Sequence, residues 1–95
     1  MSFRRAARKD ANHNEITDCF ISLGWSVLDI SQLKNACDAF VSKGSCTIAI
    51  EIKDGSKPPS QRKLSTGEEK FRENWKGNWA LVESIEDVKL INKMN

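Results

Sequence analysis

The sequence predicts an α/β domain in the order helix, three strands, helix, strand, helix. Three observations predict it. Apolar residues recur at helical spacing soon after a polar start, "CTIAIEIK" alternates isoleucines behind a short turn signal, and helical spacing returns after a loop with two prolines. A chain of 95 residues holds one core, so residues 1–95 are expected to form a single domain.

Residues 1–9 read as a basic arm carrying Arg4, Arg5, Arg8 and Lys9. Asp10 or Asn12 then caps a helix whose Ile16, Cys19, Phe20 and Leu23 fall at i, i+3, i+4 and i+7, and Gly24 stops it. "WSVLDI" reads as a short strand and "SQLKNA" as a connection. "CDAFV", the turn "SKGS" and "CTIAIEIK" read as a hairpin. The prolines of "DGSKPPS" exclude a central strand. "STGEEKFRENW" restores a helix with Ser65 or Thr66 as cap and Phe71 and Trp75 on one face. "GNWALVES" and "IEDVKLINKM" close the chain as strand and helix.

Composition narrows the function. A chain that is 39% hydrophobic and 29% charged is globular, with no repeat and no low-complexity tract. No apolar run reaches the roughly 18 residues a membrane span needs, and the start lacks a secretory signal, so a cytoplasmic protein with no membrane partner is expected. Cys19, Cys37 and Cys46 form no CxxC pair and share the chain with one histidine, His13, which argues against a zinc site or a disulfide scaffold. They read as reduced, buried thiols, His13 as a surface residue of the first helical turn, and Trp25, Trp75 and Trp79 as packing residues. Net charge is only +2, but Lys53, Lys57, Arg62 and Lys63 form a second basic cluster, and such clusters offer a footprint for phosphates.

The hairpin concentrates the chemistry. With the turn between Gly44 and Ser45, Ser42 faces Thr47, Phe40 faces Ala49 and Asp38 faces Glu51. Directly opposed residues have Cβ atoms about 4.5–5.5 Å apart, so two carboxylates there repel unless a cation joins them or one keeps its proton. The strand period puts Lys53 on the same face as Glu51, while Ile48, Ile50 and Ile52 point into the core with Ala39 and Val41. Asp38, Glu51 and the Ile52 backbone carbonyl make an all-oxygen set suited to Mg²⁺ or Mn²⁺, with Lys53 placed to orient an attacking water. Those parts suit phosphodiester hydrolysis. Equally, Asp38 and Glu51 could be solvated acids paired with Lys53 or Lys43, which stabilises little.

Glu15, Asp38 and Glu51-Ile52-Lys53, with "DANHNEI", "KDGSKPPSQRKLS" and "VESIEDV" around them, resemble the PD-(D/E)XK nuclease superfamily and within it the small VRR-NUC type of phage and replication-repair proteins. The resemblance covers nearly the whole chain. It departs at Cys37, where the family commonly has proline, so the turn into the aspartate strand is expected to be shaped differently. The resemblance implies a restriction-endonuclease-like core, a mixed β-sheet flanked by helices. It further implies a metal-dependent, structure-specific DNA endonuclease, acting on branched DNA such as Holliday junctions, as a homodimer, and in the cytoplasm of a bacterial host if phage-encoded. Glu15 would complete the metal shell directly or through water, although Asn12-x-x-Glu15 is also a capping-box spacing. Gln61 would be a polar residue near the site, with loop solvation as its other reading. Arg4, Arg5, Arg8, Lys9, Lys57, Arg62 and Lys63 would grip phosphates. The rival expectation is a catalytically silent DNA-binding module of the same fold; a third is an interaction protein without nucleic-acid affinity.

Overall fold

The computed structural model describes residues 10–95. The arm at 1–9, with Arg4, Arg5, Arg8 and Lys9, lies outside the described residues. The elements are α1 (His13–Ser22), β1 (Ser26–Asp29), β2 (Ala39–Lys43), β3 (Cys46–Ile52), a 3₁₀ turn (Pro59–Gln61), α2 (Thr66–Asn74), β4 (Asn78–Val82) and α3 (Ile85–Met94). The four strands form one mixed sheet in the order β1-β2-β3-β4. β1, β2 and β3 are antiparallel neighbours, whereas β4 runs parallel to β3. A parallel neighbour cannot be reached by a tight turn, and the loop with its prolines, the 3₁₀ turn and α2 supply that crossover.

Local chemistry sets each boundary. α1 ends at Gly24, whose φ of +94° suits the left-handed conformation that closes helices, and the Trp25 N–H reaches back to the Phe20 carbonyl. The β2–β3 hairpin turns at Gly44, φ +62°, a positive value that two-residue hairpin loops need and glycine accepts. Its register pairs Ala39 with Ile50, Phe40 with Ala49 and Ser42 with Thr47, whose hydroxyls bond across the strands at 2.9 Å. α2 opens with a capping box, in which the Ser65 hydroxyl accepts from the Glu68 N–H and the Glu68 carboxylate accepts from the Ser65 N–H.

One face of the sheet buries Ala39, Val41, Ile48, Ile50, Ile52 and Val82 against Ile16 and Phe20 of α1 and Val88 of α3. Removing such aliphatic area from water at about 25 cal/mol per Å² is what fixes the register, because a one-residue slip would turn every isoleucine outward. Trp25 seals one end, edge-on to Phe20 at 5.6 Å, with its indole N–H donated to Asn92. The opposite face carries Phe40, Ala49, Glu51, Trp79 and Leu81 by strand alternation. β3 is buried on both faces from Ile48 to Ile52, so its polar side is covered as well.

Two expectations are corrected. His13 is not a surface residue: it is 1% exposed, and its Nε2 lies 2.9 Å from Asp29 Oδ2. Asp29 also takes the Ser31 N–H and hydroxyl on its other oxygen, and although burial pulls its pKa up, these bonds and His13 hold it well below the usual carboxylate range. A first helical turn is ordinarily solvated, but here Asp29 at the end of β1 meets the imidazole. Asn12 caps α1 by position and not by its side chain, which donates to the carbonyls of Lys53 and Glu83 and ties the helix start to the ends of β3 and β4. Its capping box with Glu15 does not form.

Candidate active site

Asp38 stands just before β2, outside the ladder, which ends at the pair Ala39–Ile50; its N–H bonds to the Ile50 carbonyl at 3.0 Å, so the expected direct pairing of Asp38 with Glu51 gives way to two residues, Asp38 and Ala39, set against Ile50. Its Oδ2 accepts the Ile52 N–H at 2.7 Å. That short charge-assisted bond locks the carboxylate beside the backbone of β3. Cys37, in the place where a turn-shaping proline was expected by resemblance, is buried and donates its thiol to the Ala39 carbonyl. Burial, then the charge of Glu51, pushes that thiol up to about 11, so it is an inert packing group and not a nucleophile.

Glu51 is 3% exposed. The reading of Glu51 as a solvated surface acid is therefore excluded. Burial drives its pKa far above the ordinary carboxylate range, and hydrogen bonds and charge from Asp38 and then Glu68 drive it further. Such surroundings favour the protonated carboxyl over the charged one.

Lys53 follows β3, its N–H bonded to the Val82 carbonyl and its Nζ 2.9 Å from Glu68 Oε1. Burial pulls the ammonium pKa down, but the hydrogen bond and charge of Glu68 with the charges of Glu51 and Asp10 outweigh it, and the net shift is upward. Glu68 is the counterpart: burial lifts its pKa, yet the Ser65 N–H, Lys53 and Glu51 bring it below its usual value. Asp10 completes the neighbourhood. Burial raises its pKa, the charges of Lys53 and Lys57 lower it, and those of Asp38 and Asp54 raise it, with a net upward shift.

The structure thus brings together Asp38, Glu51, Ile52 and Lys53, and adds Glu68 and Asp10. Asp38, Glu51 and Glu68 line one groove of about 250 Å³ with Lys34 and Asn35. Sequence reasoning treated Asp10 only as a possible cap and did not place Glu68. The signal for Glu68 was present in Ser65-x-x-Glu68, a capping box that sets the helix start against the end of β3.

Other expected site residues fall elsewhere. Glu15 is exposed and lines a different hollow, with Arg62, Glu83 and Asp87, so it does not join Asp38 and Glu51. Arg62 is not a free phosphate clamp: it bonds Glu83 at 3.0 Å and the Lys57 carbonyl at 2.8 Å. Gln61 is exposed at the end of the 3₁₀ turn and does not line the groove. Lys57 and Lys63 are exposed on the same loop. Lys43 turns away to the Leu23 carbonyl and Asn92.

Among the described residues, no three His, Cys, Asp or Glu side chains form a group arranged to hold a metal ion, since Glu68 is turned to Lys53 and Ser65. The donor chemistry fits a hard cation nonetheless: two neighbouring carboxyls, one of them buried, beside a backbone segment, which is the sparse oxygen set Mg²⁺ accepts with its remaining sites left to water and phosphate. No family model, curated protein or solved structure matches the chain.

Proposed function

We propose that the chain is a metal-dependent DNA endonuclease of the PD-(D/E)XK superfamily, of VRR-NUC type, with a restriction-endonuclease-like core. The observation that carries this reading is the burial of Glu51 in one groove with Asp38 and Glu68, an arrangement of carboxyls that costs stability unless a cation or a proton offsets their repulsion. Asp38, Glu51 and the Ile52 carbonyl would hold Mg²⁺ or Mn²⁺. When bound, the ion supplies Lewis-acid stabilisation of charge on the phosphate and a more acidic water.

The chain's own residues do the rest. Lys53 keeps its proton and donates hydrogen bonds, so it orients the attacking water and stabilises negative charge on the phosphate rather than acting as a base. Glu68 holds that ammonium at the rim of the groove. Exposed Lys57 and Lys63, with the N-terminal arginines, grip phosphates without reading sequence, which supports a structure-specific rather than sequence-specific substrate, such as a Holliday junction. Two cuts on a junction require two active sites, hence a homodimer in a DNA-repair or phage setting. No helix among the described residues is long and apolar enough to cross a membrane.

The turn of Glu68 toward Lys53 favours a second reading, a DNA-binding module with a silent site. One experiment separates them: nicking and cleavage of junction, flap, gapped and plain duplex DNA with and without Mn²⁺, for the natural chain and Lys53→Ala. The endonuclease reading expects metal-dependent cleavage that Lys53→Ala abolishes while DNA binding survives. Full activity in Lys53→Ala removes the water-positioning role, and absence of cleavage with undiminished binding favours the silent module.

A further inference from the structure

A second hollow, of about 590 Å³, lies along α2 next to the carboxylate groove, and Asn35 lines both. This volume falls in the range of small-molecule sites. Phe71 and Trp75 line one side, their rings stacked on each other within 17° of parallel and 5.5 Å apart, and Phe40 packs against Trp75 at 5.3 Å. The Trp75 indole N–H is already given to the Asn78 carbonyl at 2.8 Å, so the ring offers the hollow carbon surface only. Polar groups stand at the rim. Asn35 sits in the left-handed region, φ +60°, and its side-chain oxygen lies so close over Gly67 that any Cβ there would collide with it. The exposed lysines Lys70, at the aromatic hollow, and Lys34, at the groove, bring positive charge to the shared border.

An aromatic stack that a further ring could extend, the Asn35 amide at its edge and amines outside it suit a nucleobase with its phosphate turned to the lysines. A base still stacked and paired in a duplex cannot enter such a hollow. We propose that this cavity takes an unpaired base of single-stranded or frayed DNA, next to the phosphate held in the carboxylate groove. The inference rests on the nuclease reading for the position of that phosphate, and it narrows the substrate to DNA with unpaired nucleotides. Stacking of a base on an aromatic side chain accounts for roughly 5- to 150-fold in affinity.

The test uses the full chain in EDTA, so that binding is read without cleavage. A dT12 oligonucleotide, a blunt 12-base-pair duplex and dTMP are titrated while intrinsic tryptophan fluorescence and, for labelled DNA, anisotropy are followed. Quenching by dT12, with at least about fivefold tighter binding than the duplex, is expected, and Trp75→Phe should remove the quench because Trp25 is in the core and Trp79 lies under Arg72. Asn35→Gly combined with Lys70→Gln should lower dT12 affinity several-fold and leave duplex affinity unchanged; glycine accepts the backbone of residue 35, so this variant answers even if Trp75→Phe fails to fold. Equal affinity for single strand and duplex, or quenching that survives Trp75→Phe, overturns the proposal; quenching by dTMP that Trp75→Phe removes supports it. A chain that passes this test but cuts no DNA with Mn²⁺ refutes the nuclease reading and leaves single-strand binding standing.

Discussion

The molecule carries two acid-lined hollows, one on each side of the β3–β4 ends, and they behave differently. In the first, Asp38, Glu51 and Glu68 crowd around one ammonium, and Glu51 is buried deeply enough to stay protonated. In the second, Glu83 is matched by Arg62, Asp87 accepts the Glu83 N–H at 2.8 Å, and Glu15 points to water. Both are rich in carboxylates. The difference teaches that acidity marks a site only where the carboxylates outnumber their partners and have been taken out of water. In the second hollow the half-buried acids Glu83 and Asp87 are each partnered within the fold, and no ligand is needed.

The largest expected effect tests that contrast directly. Asp38→Asn or Glu51→Gln should reduce Mn²⁺-dependent cleavage by at least about 100-fold, whereas Glu15→Gln and Glu83→Gln should leave it within about twofold. Initial cleavage rates at saturating DNA, with Mn²⁺ binding measured by calorimetry, give the comparison. A loss as deep in Glu15→Gln would restore that residue to the metal shell, despite its position on the other hollow.

The next effect is thermodynamic. Glu51 has a folded pKa raised above its unfolded value of about 4.5, so between the two the native state binds more protons than the unfolded one. Its contribution to stability is thus fully present below about pH 4.5 and lost as pH rises, with a slope of up to about 1.4 kcal/mol per pH unit. Asp29 works in the opposite sense, its lowered pKa giving stability that is present above about pH 4 and lost on acidification, so the two act in separate windows. Thermal melts of the metal-free chain should therefore show a melting temperature that falls from pH 5 to pH 8. Glu51→Gln should flatten that fall and melt higher than the natural chain at pH 8, and Mn²⁺ should rescue the natural chain but not the variant. A profile for Glu51→Gln parallel to the natural one would show that the strain lies elsewhere.

How much of this was legible follows from where the information sits. The hairpin register was readable because it is local: Gly44 supplies the turn, and the isoleucines leave only one face for Glu51. That register brings Asp38 close to Glu51 and Lys53, although the ladder ends at Ala39 and the Ile52 N–H then fixes the Asp38 carboxylate. What failed depended on contacts far apart in sequence. His13 is buried with its ring nitrogen on Asp29, 16 residues on, and Asn12 gives its amide to Lys53 and Glu83, 41 and 71 residues away, instead of to its own helix. Glu68 was half legible. Its capping role shows in the sequence, but its bond to Lys53 depends on the loop between β3 and α2 folding back over the sheet.

The smallest effect concerns the basic loop, and it sharpens the same lesson about satisfied and unsatisfied charge. Arg62 is a quarter exposed, paired with an equally covered Glu83, and bonded to the Lys57 carbonyl, so its charge is spent within the fold. Lys63 is exposed on the same loop. If DNA phosphates meet this loop, Lys63→Gln should reduce the slope of log affinity against log salt by about 1 without changing which DNA structure is preferred. Arg62→Gln should leave that slope unchanged and cost no more than about 1 kcal/mol of stability, as partly screened pairs do. Anisotropy titrations of a labelled junction over a range of KCl concentrations measure both. Equal slope changes in the two variants would mean that Arg62 leaves Glu83 for phosphate when DNA arrives, and a partner held by the fold would then be a reserve rather than a spent charge.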